Sequence, residues 1–214
     1  MATTKLGIFQ ASLDVLGHET TNDTGEPVES VRALVRNWDN VVEECLSEGS
    51  WNFAMETIKI ASDTGVTPEF GFPEVFAKPT DWLRTCAVSQ DENFAFPLLH
   101  YYDDSNYWSA DSTPIYVRYV SNDTGLGLDL NRWPAAFRRY VELELAARVA
   151  PRLTQKEGQA DMIMKMRDKA RLNAKNQDAM NEANPKFPPP NSWTMSRGGR
   201  IGIRDRGSRG SLTG

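Results

Sequence analysis

Two histidines and two cysteines are the side chains with which this 214-residue chain could perform nucleophilic catalysis or bind a transition metal. His18 lies in a polar stretch and His100 precedes Tyr101 in an expected strand, and neither has a cysteine or serine partner at a recognisable motif spacing. Cys45 and Cys86 fall in separate apolar patterns without metal-ligand spacing, so we expect free thiols. The sequence therefore predicts no catalytic residue, no metal ion and no cofactor.

Pairs of neighbouring carboxylates offer a second kind of chemistry. Glu43 with Glu44, and Asp103 with Asp104, could act as the acid and base of a glycoside hydrolase. Adjacent acids on a helix surface or in a turn are ordinarily solvated, which favours a protein that is not an enzyme. A hydrolase of cell-wall or other polysaccharide that uses these surface carboxylates is kept as the alternative function.

Two further motifs resemble binding sites but lack the necessary residues. The stretch DTGLGLDL at 123–130 has glycines without the Lys and Ser/Thr of a phosphate-binding loop, so it predicts an ordinary loop. Met162, Met164 and Met166 could bind a soft metal ion. At helical spacing such methionines are more typical of adaptable packing, which is what we expect here.

The charge of the chain is divided unevenly along its length. Residues 185–214 hold six Lys and Arg against one Asp, a charge of +5, so the net −5 of the whole chain leaves −10 on residues 1–184. Prolines, then Trp193, then alternating arginine and glycine are typical of a segment that lies extended across a partner. The acidic body disfavours general binding of duplex DNA. A disordered solubility tail is the alternative interpretation of the segment, and RNA binding through its arginines and glycines is left open as a third class of function.

Apolar residues recur every three or four positions in four parts of the chain, which predicts four helices. These parts are 4–17, 27–49, 137–151 and 156–183. Gly17 is suited to stop the first helix, Pro27 suits the first turn of the second, and Pro151 ends or kinks the third. No apolar run approaches the ~18 residues that a membrane-spanning helix needs.

Between the second and third helices the pattern changes to alternation, which predicts short strands. Residues 51–62, 83–90 and 114–121 give the clearest strands. The stretch 100–108 indicates a hairpin, with its turn at Asp103–Asn106. Recurrent prolines in this region exclude a long regular sheet.

The predicted fold is therefore α+β, with three parts. An antiparallel bundle of about four helices is expected at 1–50 plus 129–184, and a small antiparallel β-rich insert at 51–128. An extended basic C-terminal arm is expected at 185–214.

Three stretches, taken in order, are similar to one known family. They are ASLDVLGHETTNDTGEPVESVRALVRNWDNVVEECLSEGSWNFA (11–54), FAKPTDWLRTCAVS (76–89) and YVRYVSNDTGLGLDLNRWPAAFRRYVELELAARVAPRLTQ (116–155). Their order and spacing resemble the bacteriophage head-to-tail adaptor, or connector, proteins, called tail tubular protein A in short-tailed phages. The resemblance covers about residues 5–184.

The resemblance implies a structural virion protein without catalysis. Its members form a homo-oligomeric ring, typically of twelve copies, between the portal protein and the tail nozzle or tail-tube protein. The bundle would line a channel through which viral DNA passes without sequence-specific binding, and the β insert would face the tail. The chain would be made in the host cytoplasm and located at the capsid–tail junction. In this context the alternative hydrolase would be associated with the tail.

The same resemblance implies that the C-terminal arm binds the portal. The expected portal-binding residues are Trp193, Arg197, Arg200, Arg204 and Arg206. No membrane contact is expected.

Overall fold

The computed structural model describes residues 4–66, 68, 70–153 and 157–181. Within them the helices are α1 Lys5–Leu16, α2 Glu29–Ser47, α3 Ala135–Leu153 and α4 Glu157–Asn181. The strands are β1 Met55–Ile60, β2 Glu74–Ala77, β3 Trp82–Ser89, β4 Tyr102–Asp103, β5 Tyr107–Ala110 and β6 Ile115–Ser121. The fold is α+β, and its helices and strands follow one another in the predicted order. The helices and the β-sheets belong to one compact unit that extends to Ala179.

The ends of α1 follow from local side-chain and backbone chemistry. The Thr4 hydroxyl accepts a hydrogen bond from the Gly7 N–H at 3.1 Å, which satisfies one of the free donors of the first turn. Gly17 has a φ of 71°, and its N–H donates to the carbonyl of Asp14. The predicted stop at Gly17 is confirmed, because a residue without a Cβ adopts this left-handed conformation at low cost.

The start of α2 differs from the prediction. Pro27 was expected in the first turn, but the helix begins at Glu29 after the extended residue Val28. The capping carbonyl belongs to Val28, which accepts from the Arg32 N–H at 3.0 Å. Pro27 therefore lies just before the helix and restricts the chain that enters it.

The first predicted strand also begins later than expected. Only Met55–Ile60 of the range 51–62 is a strand, because Asn52–Ala54 form one 3-10 turn. Trp51 is 1% exposed and packs into the helical core. Its indole nitrogen donates to the Cys45 carbonyl at 2.9 Å. The prediction of a strand was therefore wrong for residues 51–54, because the alternating aromatic residues Trp51 and Phe53 pack against the helices.

An aromatic cluster forms the centre of the bundle. The ring centroids of Trp38 and Phe9 lie 5.5 Å apart, and those of Trp38 and Trp133 lie 6.2 Å apart. Phe137 contacts both Trp133 and Trp51, at 5.1 and 4.8 Å. The cluster joins α1, α2 and α3 to the points where the chain leaves and re-enters the bundle, so the orientation of the β part depends on this core.

Helix α4 is held by a few contacts along its length. Ile163 is fully buried beside Leu16, and Ala174 belongs to the main core. Near the C-terminal end, both carboxylate oxygens of Asp178 lie 3.1 Å from the backbone nitrogen of Asn52, which donates to them. Helix α4 therefore finishes beside the turn that leads into β1.

Two three-stranded antiparallel sheets make up the β part of the described chain. The first has the order β1-β6-β3 and the second β2-β5-β4. Phe76 pairs in register with Trp108, and both side chains are fully buried. The Trp108 indole donates to the Thr85 hydroxyl at 2.9 Å across the space between the sheets. The predicted strands 83–90 and 114–121 are confirmed as β3 and β6.

The predicted hairpin at 100–108 is confirmed as β4 and β5, with a turn closed by the Asp104 N–H donating to the Tyr107 carbonyl at 2.9 Å. The 123–130 loop is also confirmed. The Asp123 carboxylate accepts from the Gly125 N–H at 2.7 Å, which folds the loop on itself.

Candidate interaction surfaces

The five predicted portal-binding residues lie outside the part of the chain that the structure describes. They are Trp193, Arg197, Arg200, Arg204 and Arg206. The arm at 185–214 lies outside it as well, so its extended conformation and its role stay predictions. Within the described ranges, the candidate interaction surfaces are those of the helical bundle and of the β part.

The carboxylate pairs considered for hydrolysis are partly engaged in ion pairs. Glu44 on α2 pairs with Arg148 on α3. Asp103 in β4 pairs with Lys78, whose ammonium lies 3.6 Å from the centroid of the Trp82 ring. The side chain of Lys78 is only 4% exposed. Lys78 directly follows β2 and Asp103 lies in β4, so the ion pair belongs to the second sheet, whereas the contact of the ammonium with the Trp82 ring of β3 reaches the first sheet.

The two histidines and the two cysteines lie on different elements or loops. His18 follows α1, and His100 is exposed just before β4. Both thiols are free, as predicted; Cys45 is fully buried, and burial raises the pKa of its thiol well above the ordinary value. Cys86 is partly buried. Within residues 4–66, 70–153 and 157–181, no three acidic, histidine or cysteine side chains are grouped so as to hold a metal ion.

A buried carboxylate connects α3 to α4. Glu144 is 6% exposed and pairs with Arg148 at 3.6 Å and with Arg167 of α4 at 3.1 Å. The two arginines compensate this buried carboxylate, and loss of either arginine would leave it with a single ion-pair partner. The sequence analysis missed this site, although the i,i+4 spacing of Glu144 and Arg148 was a signal for it.

A second polar contact holds the next two turns of α4. Glu48 accepts a hydrogen bond from the Tyr140 hydroxyl at 2.9 Å and pairs with Arg171 at 3.4 Å and Lys175 at 3.8 Å. Burial, together with Cys45 and Glu48, raises the pKa of the Tyr140 phenol well above its ordinary value. Much of α4 is thus attached through charged and polar groups, which leaves its apolar side chains elsewhere.

Except for Ile163, the large apolar side chains of α4 face the solvent. Met162, Met164 and Met166 are 55%, 42% and 36% exposed, so within the described chain they do not provide the adaptable packing that was expected of them. Leu172 is 59% exposed. The helical period places Met162, Met166 and Leu172 within one third of the helix circumference, together with the exposed Lys165 and Lys169. We call these five residues the α4 face.

A different exposed surface runs along α2. Val35 is 40% exposed, and Asp39 and Glu43 follow it at intervals of four, so the three side chains form one line on the helix. Neither acid has an ion-pair partner among the described residues. We call Val35, Asp39 and Glu43 the α2 line. It combines an apolar residue with negative charge, whereas the α4 face combines apolar residues with positive charge.

The loop that follows β3 is organised by one carboxylate. Asp91 accepts hydrogen bonds from the Ser89 hydroxyl at 2.7 Å and from the backbone N–H groups of Ala95 and Phe96, both at 3.0 Å. The loop presents Phe96 and Leu99 to solvent, with 74% and 82% of their surfaces exposed. Because its backbone is held from within, the loop displays these apolar side chains in a fixed arrangement.

The hydrogen bonds to Asp91 lower the pKa of its carboxyl from 3.8 to about 2. Because the folded-state pKa is depressed, this order is fully present above pH 3.8 and is lost as the pH falls through about 2. We expect the amide NMR signals of Ala95 and Phe96 to titrate near pH 2, and Asp91→Asn to shift both signals at neutral pH. A titration midpoint near pH 4, or unchanged signals in the variant, would contradict this assignment.

A groove of about 620 Å³ lies on the outward face of the second sheet. The residues that line it include Phe70, Phe72, Tyr102, Tyr107 and Asp104. We call these five residues the aromatic groove. The rings of Phe72 and Tyr102 meet edge to face with centroids 4.8 Å apart. Gly71, with a φ of 88°, brings the loop backbone close to Tyr102; an added Cβ would lie 3.2 Å from that ring.

Comparison with models of protein families gives no match for this chain, and comparison with curated proteins gives no significant match either. Membership of the adaptor family therefore stays a prediction from the three similar stretches. In the described part of the chain, no helix combines the length and the apolar character needed to span a bilayer.

Proposed function

We infer that this protein is a structural virion component, a head-to-tail adaptor that forms a ring between the portal and the tail nozzle or tail tube and lines the channel for DNA. The observation that carries the proposal is the pair of surfaces on the bundle, the α4 face and the α2 line. They differ from each other, and each is complementary to the other in charge.

A closed ring of identical subunits needs this kind of pairing. Each copy must offer two different surfaces, because the contact runs head to tail around the ring. Lys165 and Lys169 are one turn apart on α4, and Asp39 and Glu43 are one turn apart on α2, so one pair of charges matches the other in spacing. Met162 and the other apolar residues of the α4 face would lose contact with water in such an interface.

The register of this contact is favoured by the distribution of charge on α2. Arg32 and Arg36 lie in its first half, and the two acids of the α2 line lie in its second half. A lysine pair would be repelled by the first half and attracted by the second. The adaptor proposal therefore includes a defined position of α4 against the neighbouring α2.

The β part suits the contact with the tail. It leaves the bundle after α2 and returns before α3, and its loop after β3 presents Phe96 and Leu99. The charge of −10 on residues 1–184 also supports the proposed channel, since an acidic wall repels the phosphate backbone and lets DNA slide.

Charge reversal tests the proposed ring. Full-length chain mixed with purified portal rings of the phage that encodes it should add one ring of copies, visible by electron microscopy. Lys165→Glu with Lys169→Glu should weaken ring formation about tenfold or more at low salt, because acids would then face acids. Adding Asp39→Lys and Glu43→Lys to the same chain should restore ring formation, since every interface again joins opposite charges.

The control is Leu99→Glu, which adds a charge at an exposed apolar residue of the β part and should leave ring formation unchanged. The adaptor proposal fails if the unmodified chain forms no ring on the portal. The assignment of the two surfaces fails if the four-residue reversal does not recover what the two-residue reversal loses.

A further inference from the structure

The aromatic groove exposes more apolar surface than folding of the chain requires. Phe70 is 88% exposed and Tyr102 is 54% exposed, although the rings of Phe72 and Tyr102 are already packed edge to face. The volume of the groove, about 620 Å³, is within the range typical of ligand sites.

The aromatic rings and the carboxylate of the groove favour one kind of peptide ligand. Polyproline II segments dock in grooves lined by aromatic rings, because proline side chains fit between the rings and the conformation is already fixed before binding. Asp104 lines the same groove, is exposed, and has no cationic side chain paired with its carboxylate in the described ranges. A preferred ligand therefore combines prolines with a lysine or arginine.

The chain itself contains such a ligand. Residues 185–190 read PKFPPP, which places Lys186 beside four prolines. The described chain ends at Asn181, three residues after Asp178, whose carboxylate is bonded to the turn before β1. The proline-rich stretch thus follows within a few residues of the base of the β part, which in a ring stands next to the β part of the neighbouring copy.

We propose that the aromatic groove binds residues 185–190 of a second copy of this chain. The prolines contact the rings of Phe70, Tyr102 and Tyr107, and Lys186 pairs with Asp104. The identity of the donor as a second copy rests on the proposed ring, whereas the preference of the groove for a basic proline-rich segment does not. The contact would fasten the start of each arm and leave the later arginines available for the portal.

The test uses a fluorescent peptide of residues 183–194 and the full-length chain in which Pro188, Pro189 and Pro190 are replaced by alanine, so that its own segment does not compete. We expect saturable binding by fluorescence anisotropy. Tyr102→Ala in this background should weaken binding about tenfold, in the range of loss typical for a central aromatic contact. Asp104→Lys should weaken it as well, and more at low salt than at high salt.

The matched control is Met164→Ala, which removes a 42% exposed apolar side chain of α4 outside the groove and should leave the affinity unchanged. Absence of saturable binding, or equal affinity in the Tyr102→Ala chain, overturns the site. A peptide in which the three prolines are alanine should not bind; if it binds as well as the original peptide, the proline assignment is wrong.

Mixing two variants tests the second-copy assignment. A chain with Tyr102→Ala keeps its proline segment, and the triple-alanine chain keeps its groove, so only the mixture can form the contact between copies. Sedimentation at a concentration close to the dissociation constant of the peptide should show clearly more association in the mixture than in either variant alone. Association in the mixture that does not exceed that of either variant alone overturns the second-copy assignment. This result is distinguishable from failure of the adaptor proposal, because charge reversal on α2 and α4 does not involve the groove.

Discussion

A chain that lacks residues 185–214 is expected to lose portal binding by about 100-fold or more, while its thermal unfolding midpoint stays unchanged. The unchanged midpoint is expected because the buried apolar core of the described ranges is formed by residues before 182, with Ala174 its last member there. The large effect on binding is expected because the proposed ring carries one arm on each copy. Arms attached to one ring would act at high effective concentration, so a weak contact repeated around the ring would give strong attachment.

Charge is the expected basis of this attachment. The arm has a charge of +5, and arginine pairs with carboxylates through two parallel hydrogen bonds. Replacing Arg197, Arg200, Arg204 and Arg206 with serine in the full-length chain should reproduce most of the loss, and raising the salt concentration should weaken binding of the unmodified chain.

A short deletion provides the matched control. Removal of residues 207–214 leaves the four arginines and Trp193 in place and should preserve most of the binding, as measured by co-sedimentation with portal rings. Portal binding that survives loss of the whole segment 185–214 would show that the bundle or the β part contacts the portal, and the proposed role of the arm would be wrong.

The helices were predictable from the sequence because their periodic patterns are long. Helix α2 shows its apolar stripe over 19 residues, which is longer than any of the predicted strands. Strand β6 was equally clear, since it lies in the middle of its sheet and most of its side chains are buried. Fold class and order of elements therefore followed from local patterns alone.

The predictions that were wrong came from sequence patterns that were short or that fitted more than one structure. Trp51 and Phe53 have the alternation of a strand, but tertiary contact with Phe137 places them in the bundle. Met162 and Met166 are one turn apart, as residues of a buried stripe are, yet the helix is attached in large part through Arg167 and other charged residues. A single sequence does not reveal which side of such a helix is buried.

The aromatic groove was not predictable because its residues come together only in the fold. The aromatic groove combines Phe70 and Phe72 with Tyr102 and Tyr107, which lie about thirty positions later in the chain. Its apolar residues were visible in the sequence only as ordinary strand and loop residues. The acidic pairs could be found from the sequence, but their ion-pair partners, Arg148 and Lys78, were distant.

Replacing Gly127 with alanine is expected to destabilise the fold more than any other single glycine substitution in the loop that returns from the β part to α3. An added Cβ at Gly127 would lie 2.0 Å from the backbone oxygen of Ser121 and 3.4 Å from a methyl carbon of Leu46. A backbone atom at this distance cannot move aside as the end of a flexible side chain can. The Gly127 carbonyl also accepts a hydrogen bond from the buried Trp133 indole at 2.8 Å, so any shift of the loop strains that contact.

We expect the substitution to lower the free energy of unfolding by about 3 kcal/mol and the unfolding midpoint by roughly 10 °C, as followed by circular dichroism.

Gly125→Ala is the control within the same loop, because its Cβ would meet only the Asp123 carboxylate at 3.1 Å, which can rotate away. Gly158→Ala on α4 meets nothing within 4 Å and should leave the midpoint unchanged or slightly higher. An equal loss in the Gly125 and Gly127 variants would mean that the loop needs glycine for conformational freedom rather than for the close approach to Ser121. The order Gly127, then Gly125, then Gly158 in destabilisation is expected because it follows how far the contacted atom can move.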